Sequence, residues 1–221
     1  MKRRCNFYID GFNWYHRLDA YQKATSECYK WLNYKSLCDS FLRLDQELQE
    51  IFFFTAMTDH YGQGATERHV KYVNALNAFG IKVVRGNFKK KTEKDGHITL
   101  EEKQTDSNIV AYTLRDAFLN KVDDLFILSA DTDMVPIVKM VKQEDSLKDK
   151  RVIIIPPPFR DSYKNQDYHQ KDYFPCHKTN ELKDSGASVI PVRFDKLRSH
   201  ILPPEINHQG STILMPREYL H

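Results

Sequence analysis

Short apolar runs without a helical repeat alternate along the chain with segments whose apolar residues recur every three or four positions. Continuous apolar runs of this length are typical of strands buried on both faces of a sheet. They predict strands at Cys5–Ile9, Ile51–Ala56, Ile81–Val84, Leu125–Leu128, Arg151–Ile155 and Ser188–Pro191.

The periodic segments predict helices between these strands. From Tyr34, the apolar residues Leu37, Phe41, Leu44 and Leu48 step by four, three and four positions, which is typical of an amphipathic helix. Three later helices are expected to begin near Thr66, Glu102 and Val135, and a short one lies near Asn180–Lys183. The Thr66 helix follows a predicted loop at Asp59–Ala65 and is expected to end at Gly80.

Strands and helices therefore alternate about five times with short links, which predicts an α/β fold. The expected architecture is a mostly parallel sheet with helices on both faces and right-handed crossovers. We expect one domain over residues 1–202, followed by a tail at 203–221 that packs on a neighbour or stays loose. Residues 159–178 form a loop too long for a simple connection, and are expected to be functional or mobile.

Aspartates follow two of the predicted strands. Asp10 ends the first strand, and Asp131 and Asp133 come just after Leu125–Leu128. Since parallel strands end at one edge of a sheet, these acids are expected to emerge there, where α/β sheets bind ligands. Asp106, which opens a helix, reaches that edge only if the start of its helix packs there.

A simpler interpretation remains open for each of these acids. A helix start favours an acidic cap, which alone would explain one of Asp131 and Asp133, and an Asx-turn would explain Asp10 or Asn13. Asp116 lies more than two turns along its helix and is interpreted as a surface charge.

A cluster of all four acids would need compensation. Two carboxylates about 4 Å apart repel by roughly 4 kcal/mol at an effective dielectric near 20. Protons or hard divalent cations could offset this repulsion, and magnesium suits an all-oxygen site. Zinc is disfavoured, because no Cys or His is spaced with these acids as a soft-metal ligand would be.

Composition and charge exclude several classes of protein, among them disordered chains and polycations. The chain of 221 residues is 41% hydrophobic and has a net charge of +3, so it is a folded protein and not a polycation. No apolar run approaches the roughly 20 residues that span a bilayer, and the N-terminus does not resemble a signal peptide. We therefore expect a cytoplasmic protein without a membrane partner. The sequence leaves open whether it forms a homo-oligomer.

Residues 85–94 carry five basic side chains against one acid. This stretch is either a solvated hairpin, since Lys94–His97 is a good turn, or an edge that contacts phosphates. In the second interpretation the contacts come from Arg85, Lys89, Lys90 and Lys91.

Three motifs together resemble those of NYN-domain proteins, in their LabA-like branch, within the PIN-like nuclease superfamily. They are Phe-Tyr-Ile-Asp10-Gly-Phe-Asn13, Glu102-Lys-Gln-Thr-Asp106 and Leu-Ser129-Ala-Asp131-Thr132-Asp133-Met-Val-Pro136. The stretch Tyr29–Lys35 also resembles that branch. The resemblance covers roughly residues 4–200 and is carried by the order and spacing of the three motifs.

The resemblance implies a Rossmann-like sheet whose acidic cluster binds Mg²⁺ or Mn²⁺ to hydrolyse RNA. The implied metal-site and catalytic acids are Asp10, Asp106, Asp131 and Asp133. The residues implied to support them by hydrogen bonds are Asn13, Ser129 and Thr132. Ala130 and Gln104 stand where glycines are common in the family, and Met134 replaces a frequent aromatic residue, but every acid is present.

Two other functions compete with RNA cleavage. A phosphatase of the haloacid dehalogenase type also has Asp-x-Asp after an apolar strand, but on the first strand of its fold. Here Asp131 lies past mid-chain, and Asp10 has no acid two residues on. The other alternative is a non-catalytic module that binds RNA or protein through the same acidic pocket.

Overall fold

The computed structural model describes residues 1–56, 62–92, 98–158 and 177–220, with backbone alone for residues 87–92, 98–103 and 177–179. The strands are β1 Arg3–Asp10, β2 Gln46–Ala56, β3 Lys82–Thr92, β4 Ile98–Lys103, β5 Asp124–Leu128, β6 Arg151–Ile154, β7 Ser188–Val189, β8 Glu205–His208 and β9 Ser211–Leu214. The helices are α1 Gly11–Thr25, α2 Tyr34–Asp39, α3 Gln63–Ala78, α4 Thr105–Phe118, α5 Val135–Gln143, α6 His177–Asp184 and α7 Phe194–Leu197.

One sheet organises the fold. Its strand order is β4-β3-β2-β1-β5-β6-β7, and β1 lies at its centre. All neighbouring pairs are parallel except β3 and β4, which form an antiparallel hairpin. The prediction of a mostly parallel α/β sheet is therefore confirmed.

Successive side chains of the central strands enter two different hydrophobic cores. Phe7 and Ile9 of β1 pack with α1 and α2, whereas Tyr8 packs on the opposite face with Ile109 of α4 and Ile137 of α5. This alternation follows from the two-residue repeat of a strand. Helices cover both faces of the sheet, as predicted, which explains why the strands read as continuous apolar runs.

The predicted amphipathic helix from Tyr34 to Leu48 is wrong. Helix α2 begins after Asn33, whose side chain accepts a hydrogen bond from the Ser36 N–H, and it ends at Asp39. Leu44 is 97% exposed, and Leu48 pairs with Cys5 in the parallel ladder between β1 and β2. From Gln46 onward the backbone pairs with β1 as strand β2, and this tertiary interaction overrides the helical spacing of the apolar residues.

Two other boundaries differ from the sequence prediction. Helix α3 begins at Gln63, so Gly64 and Ala65 are helical, while residues 59–61 of the predicted loop lie outside the described residues. Glu102 and Lys103 belong to β4, and α4 begins only at Thr105. The predicted turn at residues 94–97 and most of the 159–178 loop also lie outside the described residues.

The segment expected to be a tail folds onto the domain. Strands β8 and β9 form a hairpin, and Ile206 packs in a small core with Trp31 and Ala75. Tyr219, in a 3-10 turn at Arg217–Tyr219, packs against the same core. The expectation of a loose or neighbour-bound tail is therefore wrong for residues 203–220. The domain boundary at residue 202 stays a prediction.

Candidate functional site

Asp10 is held at the carboxyl end of the central strand. It is the last residue of β1 and caps α1, since its Oδ1 accepts a hydrogen bond of 3.0 Å from the Asn13 N–H. Its Oδ2 accepts a second bond, of 2.9 Å, from the Ser129 hydroxyl. The residue is only 4% exposed, so burial and these two bonds fix the direction of the carboxylate.

Gly11 allows the chain to turn into α1 at this point. A Cβ atom on Gly11 would lie 2.6 Å from the Phe53 ring and 2.7 Å from the Phe54 carbonyl oxygen. The second contact is with backbone of β2, which cannot swing aside as a side chain can. Glycine is therefore required for the start of α1 to pack closely on β2, and this packing sets the position of Asp10.

The segment after β5 approaches Asp10 through Ser129. The Ser129 Oγ accepts a hydrogen bond of 3.1 Å from the Asp131 N–H while it donates to Asp10. The Asn13 Oδ1 accepts a bond of 3.0 Å from the Ala130 N–H. Two side chains thus join the ends of β1 and β5, and the structure brings Asp10, Asn13, Ser129 and Asp131 together.

Asp131 and Asp133 lie at a short 3-10 turn, Thr132–Met134, which precedes α5. The Asp131 Oδ1 accepts a hydrogen bond of 3.2 Å from the Asp133 N–H, so Asp131 caps this turn. Capping accounts for this bond but not for Asp133, whose side chain is exposed. Thr132 opens the turn, and within the described residues its side chain makes no hydrogen bond.

Asp106 lies in the first turn of α4, and the direction of this helix decides where that turn sits. Near the other end of α4, the Asp116 Oδ2 accepts bonds of 2.9 Å from the Tyr8 hydroxyl and 3.0 Å from the Asn6 amide. Ten helical residues span about 15 Å, and the four-residue step from Asn6 to Asp10 spans about 13 Å. The half-buried Asp106 therefore lies near the level of Asp10.

The same contacts correct the interpretation of Asp116 as a surface charge. Asp116 is fully buried and also accepts bonds from the guanidinium group of Arg115. Burial and the neighbouring Asp116 carboxylate raise the pKa of the Tyr8 hydroxyl, which stays protonated and donates. Asp116 therefore fastens α4 to β1, far from the carboxyl edge.

The four predicted acids do not form a ready-made multidentate cage. Among the described residues, no group of three or more His, Cys, Asp or Glu side chains has the arrangement of a metal site. Ser129 joins the Asp10 carboxylate to the backbone N–H of Asp131, and the Asp131 carboxylate accepts from the backbone N–H of Asp133. Asp106 lies in the first turn of α4.

The predicted phosphate-binding residues lie on the β3–β4 hairpin. Arg85 is exposed, opposite Thr55 in the ladder between β2 and β3. The backbone of Lys89, Lys90 and Lys91 pairs with β4, and their side chains lie outside the described part of the chain. The hairpin is thus observed, whereas the phosphate contacts stay a prediction.

Sequence reasoning missed a cavity of about 340 Å³ beside this edge. It lies between α1 and α3, and it is lined by Gly11 and Phe12, which directly follow Asp10. Its remaining walls include Lys30, Tyr34 of α2, residues of β2 and α3, and Tyr219 of the 3-10 turn Arg217–Tyr219. The sequence held only a weak indication of this cavity, because the spacing of Phe12, Tyr15 and His16 places three rings on one face of a helix.

Comparison with known families assigns the class of this fold and site. The family model of the NYN domain matches residues 4–171. The chain therefore belongs to the NYN-domain family, part of the PIN-like nuclease superfamily, whose members are generally ribonucleases and typically use divalent metals. The resemblance seen in the three motifs is confirmed at the level of the family, and membership of the LabA-like branch stays a prediction.

No curated protein matches the chain significantly. Within the part of the chain that the structure describes, no helix has the length and apolar character needed to cross a membrane.

Proposed function

We propose that this protein is a divalent-metal-dependent ribonuclease that hydrolyses phosphodiester bonds at the carboxyl edge of its sheet. The observation that carries the proposal is the hydrogen-bonded chain Asp10–Ser129–Asp131, in which a buried serine holds two carboxylate-bearing segments together in an NYN domain. The metal ligands are proposed to be Asp10, Asp106, Asp131 and Asp133.

The chemistry of these residues fits Mg²⁺ or Mn²⁺. All four donors are carboxylates, and magnesium is commonly held by one or two carboxylates together with waters and substrate phosphates. Asp10 and Asp131 therefore suffice as anchors, and a preformed cage is not required. When bound, the cation supplies an activated water and neutralises charge on the phosphodiester.

The neighbouring polar residues would position these acids. Ser129 orients Asp10 through its hydroxyl, and Asn13 fixes the backbone that leads from Ser129 to Asp131. Thr132 begins the turn that separates Asp131 from Asp133. The contacts of Ser129 and Asn13 reduce the motion of the segments that carry the carboxylates, and such positioning interactions typically change metal affinity or activity by about 10- to 100-fold.

The β3–β4 hairpin would bind the RNA backbone. Arg85 is exposed near the carboxyl end of β2, and Lys89, Lys90 and Lys91 follow on the same strand. Cations placed there would neutralise phosphates on either side of the cleaved bond. We infer that this hairpin gives a protein of low net charge its affinity for a polyanion.

Cleavage of a labelled RNA with Mg²⁺, with Mn²⁺ and with EDTA tests the proposal. We expect the wild type to cut only with a divalent metal, and Asp10→Asn or Asp131→Asn to lose at least the roughly 10- to 100-fold of activity that is typical of residues that orient a metal ligand. Asp145→Asn is the matched control, because Asp145 is an exposed aspartate after α5. It should cut like the wild type, and circular dichroism should show all variants folded.

Each competing function predicts a different outcome. If the wild type cuts no RNA with either metal but binds it equally well in EDTA, the protein is a binding module. If it hydrolyses para-nitrophenyl phosphate while RNA stays intact, the phosphatase interpretation is correct. Undiminished RNA cleavage by Asp10→Asn and Asp131→Asn would remove the proposed site.

A further inference from the structure

The cavity between α1 and α3 has the size of a ligand site. Its volume is about 340 Å³, within the range of roughly 300–1,000 Å³ for small-molecule pockets. It lies beside the carboxyl ends of β1 and β2, because Gly11 and Ala56 both line it. Since Gly11 directly follows Asp10, their Cα atoms are about 3.8 Å apart. The cavity is thus adjacent to the proposed cleavage site.

One wall of the cavity is aromatic. Phe12, Tyr15 and His16 stand three and four positions apart on α1, so their rings share one face of the helix. The Phe12 and His16 rings are stacked with centroids 6.3 Å apart, and Tyr15 meets His16 edge-on at 5.9 Å. Tyr219 of the C-terminal 3-10 turn supplies another ring. The Lys30 ammonium lies over the Tyr15 ring, 5.3 Å from its centroid, yet Tyr15 is still 44% exposed, so a ligand can cover the rest of the ring.

Two polar side chains of the cavity, Thr55 and His69, can form hydrogen bonds with a ligand. The Thr55 hydroxyl and the His69 Nε2 lie 3.2 Å apart, and both residues line the cavity. Burial and the nearby Arg85 guanidinium lower the pKa of His69, so the ring is neutral at neutral pH. A neutral imidazole offers one donor and one acceptor. Thr55 and His69 hydrogen-bond to each other, and in either tautomer of the imidazole the pair keeps one donor and one acceptor for a ligand. Such a pair can match the mixed hydrogen-bonding edge of a heterocyclic base.

Two cations line the cavity, and each is ion-paired: Lys30 with the partly buried Asp19, and Arg68 with Glu218. Among its described residues the lining contains no Asp or Glu. Arg68 is the one whose partner an anionic ligand can replace. Arg68 forms an ion pair of 2.8 Å with Glu218, which is more than half exposed. Exposed pairs of this kind contribute only about 0–1 kcal/mol, so a phosphate could take the place of Glu218 at little cost.

We propose that this cavity binds one unpaired nucleobase of the RNA strand, next to the phosphodiester bond at Asp10. The aromatic wall stacks on the base, Thr55 and His69 contact its edge, and Arg68 lies near the flanking phosphate. The inference rests on the proposed function, because the RNA class defines the ligand. It adds a site for one base, which must be unpaired because a base inside a duplex cannot enter the cavity.

Binding of a fluorescein-labelled oligouridylate in EDTA tests this without cleavage. We expect Tyr15→Leu to weaken binding about tenfold, in line with base–aromatic stacking, and Tyr15→Phe to bind like the wild type. Phe118→Leu is the matched control, because Phe118 is 50% exposed and lies on α4, outside the cavity. Wild-type affinity in Tyr15→Leu, or an equal loss in Phe118→Leu, would overturn the proposal.

A scan with abasic nucleotides locates the base. In wild-type protein with Mn²⁺, one abasic position next to the cut should reduce cleavage more than any other, and Tyr15→Leu should remove this difference. Equal sensitivity at every position would contradict the cavity as a base site.

If no RNA is cut but the Tyr15 dependence of binding in EDTA persists, the proposed function fails and the base site stands. If cleavage is normal and Tyr15→Leu binds normally, the base site alone fails.

Discussion

Aspartates have different partners at the two edges of the sheet, the amino edge where the parallel strands begin and the carboxyl edge where they end. At the amino edge, Asp123 and Asp124 precede and begin β5 and are surrounded by arginines. At the carboxyl edge, Asp10 accepts from a serine hydroxyl and a backbone N–H, and Asp131 accepts from a backbone N–H. The chain's own cations neutralise the charges at the first edge, while the three hydrogen bonds just named at the second edge come from neutral donors.

At the amino edge, two arginines neutralise the buried Asp124. Asp124 is 0% exposed and contacts the guanidinium groups of Arg3 at 2.6 Å and Arg151 at 2.5 Å. Gln46 donates a further bond of 2.6 Å. These three partners stand at the starts of β1, β6 and β2, so the acid holds the amino ends of neighbouring strands together.

The difference separates acids that stabilise the fold through ion pairs from the acids that we propose as metal ligands. Asp131 and Asp133 make no ion pair with any residue in the described ranges. Neutral donors orient a carboxylate and leave its charge available to an added cation. The contrast therefore predicts that substitutions at the two edges change different properties.

The largest effect on stability is expected for Asp124→Asn. Removing one partner of a buried ion pair typically costs about 3–5 kcal/mol, and we expect about 3 kcal/mol here because the arginines are partly exposed. Urea unfolding measures this loss. RNA cleavage per folded molecule should stay at the wild-type level. A large fall in cleavage would contradict the separation of a stabilising amino edge from a functional carboxyl edge.

Ser129→Ala tests the carboxyl edge with the opposite expectation. The change removes the donor to Asp10 and the acceptor for the Asp131 N–H, so we expect cleavage to fall about 10- to 100-fold. The free energy of unfolding should fall by only about 1–2 kcal/mol. Metal titration of the cleavage rate is the measurement, and an unchanged metal dependence and rate would show that Ser129 does not position the acids.

The pH dependence of stability should come from the amino edge. Burial disfavours ionisation of Asp124, but hydrogen bonds from Arg151, Arg3 and Gln46 more than offset this and lower its pKa. Its stabilisation is therefore complete above the unfolded-state pKa of about 3.9 and is lost as the pH falls toward the folded-state value. Unfolding free energies measured from neutral to acidic pH should decline less steeply in Asp124→Asn. A slope identical to the wild type would contradict this assignment.

The smallest effect is expected on the hairpin. Changing Lys89, Lys90 and Lys91 together to Ser should weaken RNA binding and reduce the log–log salt slope by at most about three. Fluorescence anisotropy at several salt concentrations measures this slope. If the slope does not change, these lysines belong to a solvated hairpin.

Much of the fold could be predicted because the strands are buried on both sides. Such strands leave continuous apolar runs, which local sequence displays directly. The helix proposed across Leu44 and Leu48 failed because pairing with β1 depends on residues more than forty positions away. Asp116 was misread for the same reason, since its partners Asn6 and Tyr8 are more than a hundred positions away.

The candidate site was predictable in part. Acids that directly follow parallel strands must share an edge, so Asp10 and Asp131 could be placed together from topology. The double role of Ser129 and the bond from Ala130 to Asn13 depend on side-chain directions that no local pattern encodes. The cavity was hidden because its lining comes from helices α1 and α3 and a turn near the end of the chain.

A crystal of the wild-type protein grown with Mn²⁺ tests the central claim most directly. Anomalous scattering should show a manganese ion at the carboxyl edge, with Asp10 and Asp131 among its ligands and Asp106 or Asp133 beside them. An ion bound elsewhere, or a carboxyl edge that stays without manganese at saturating concentration, would contradict the account.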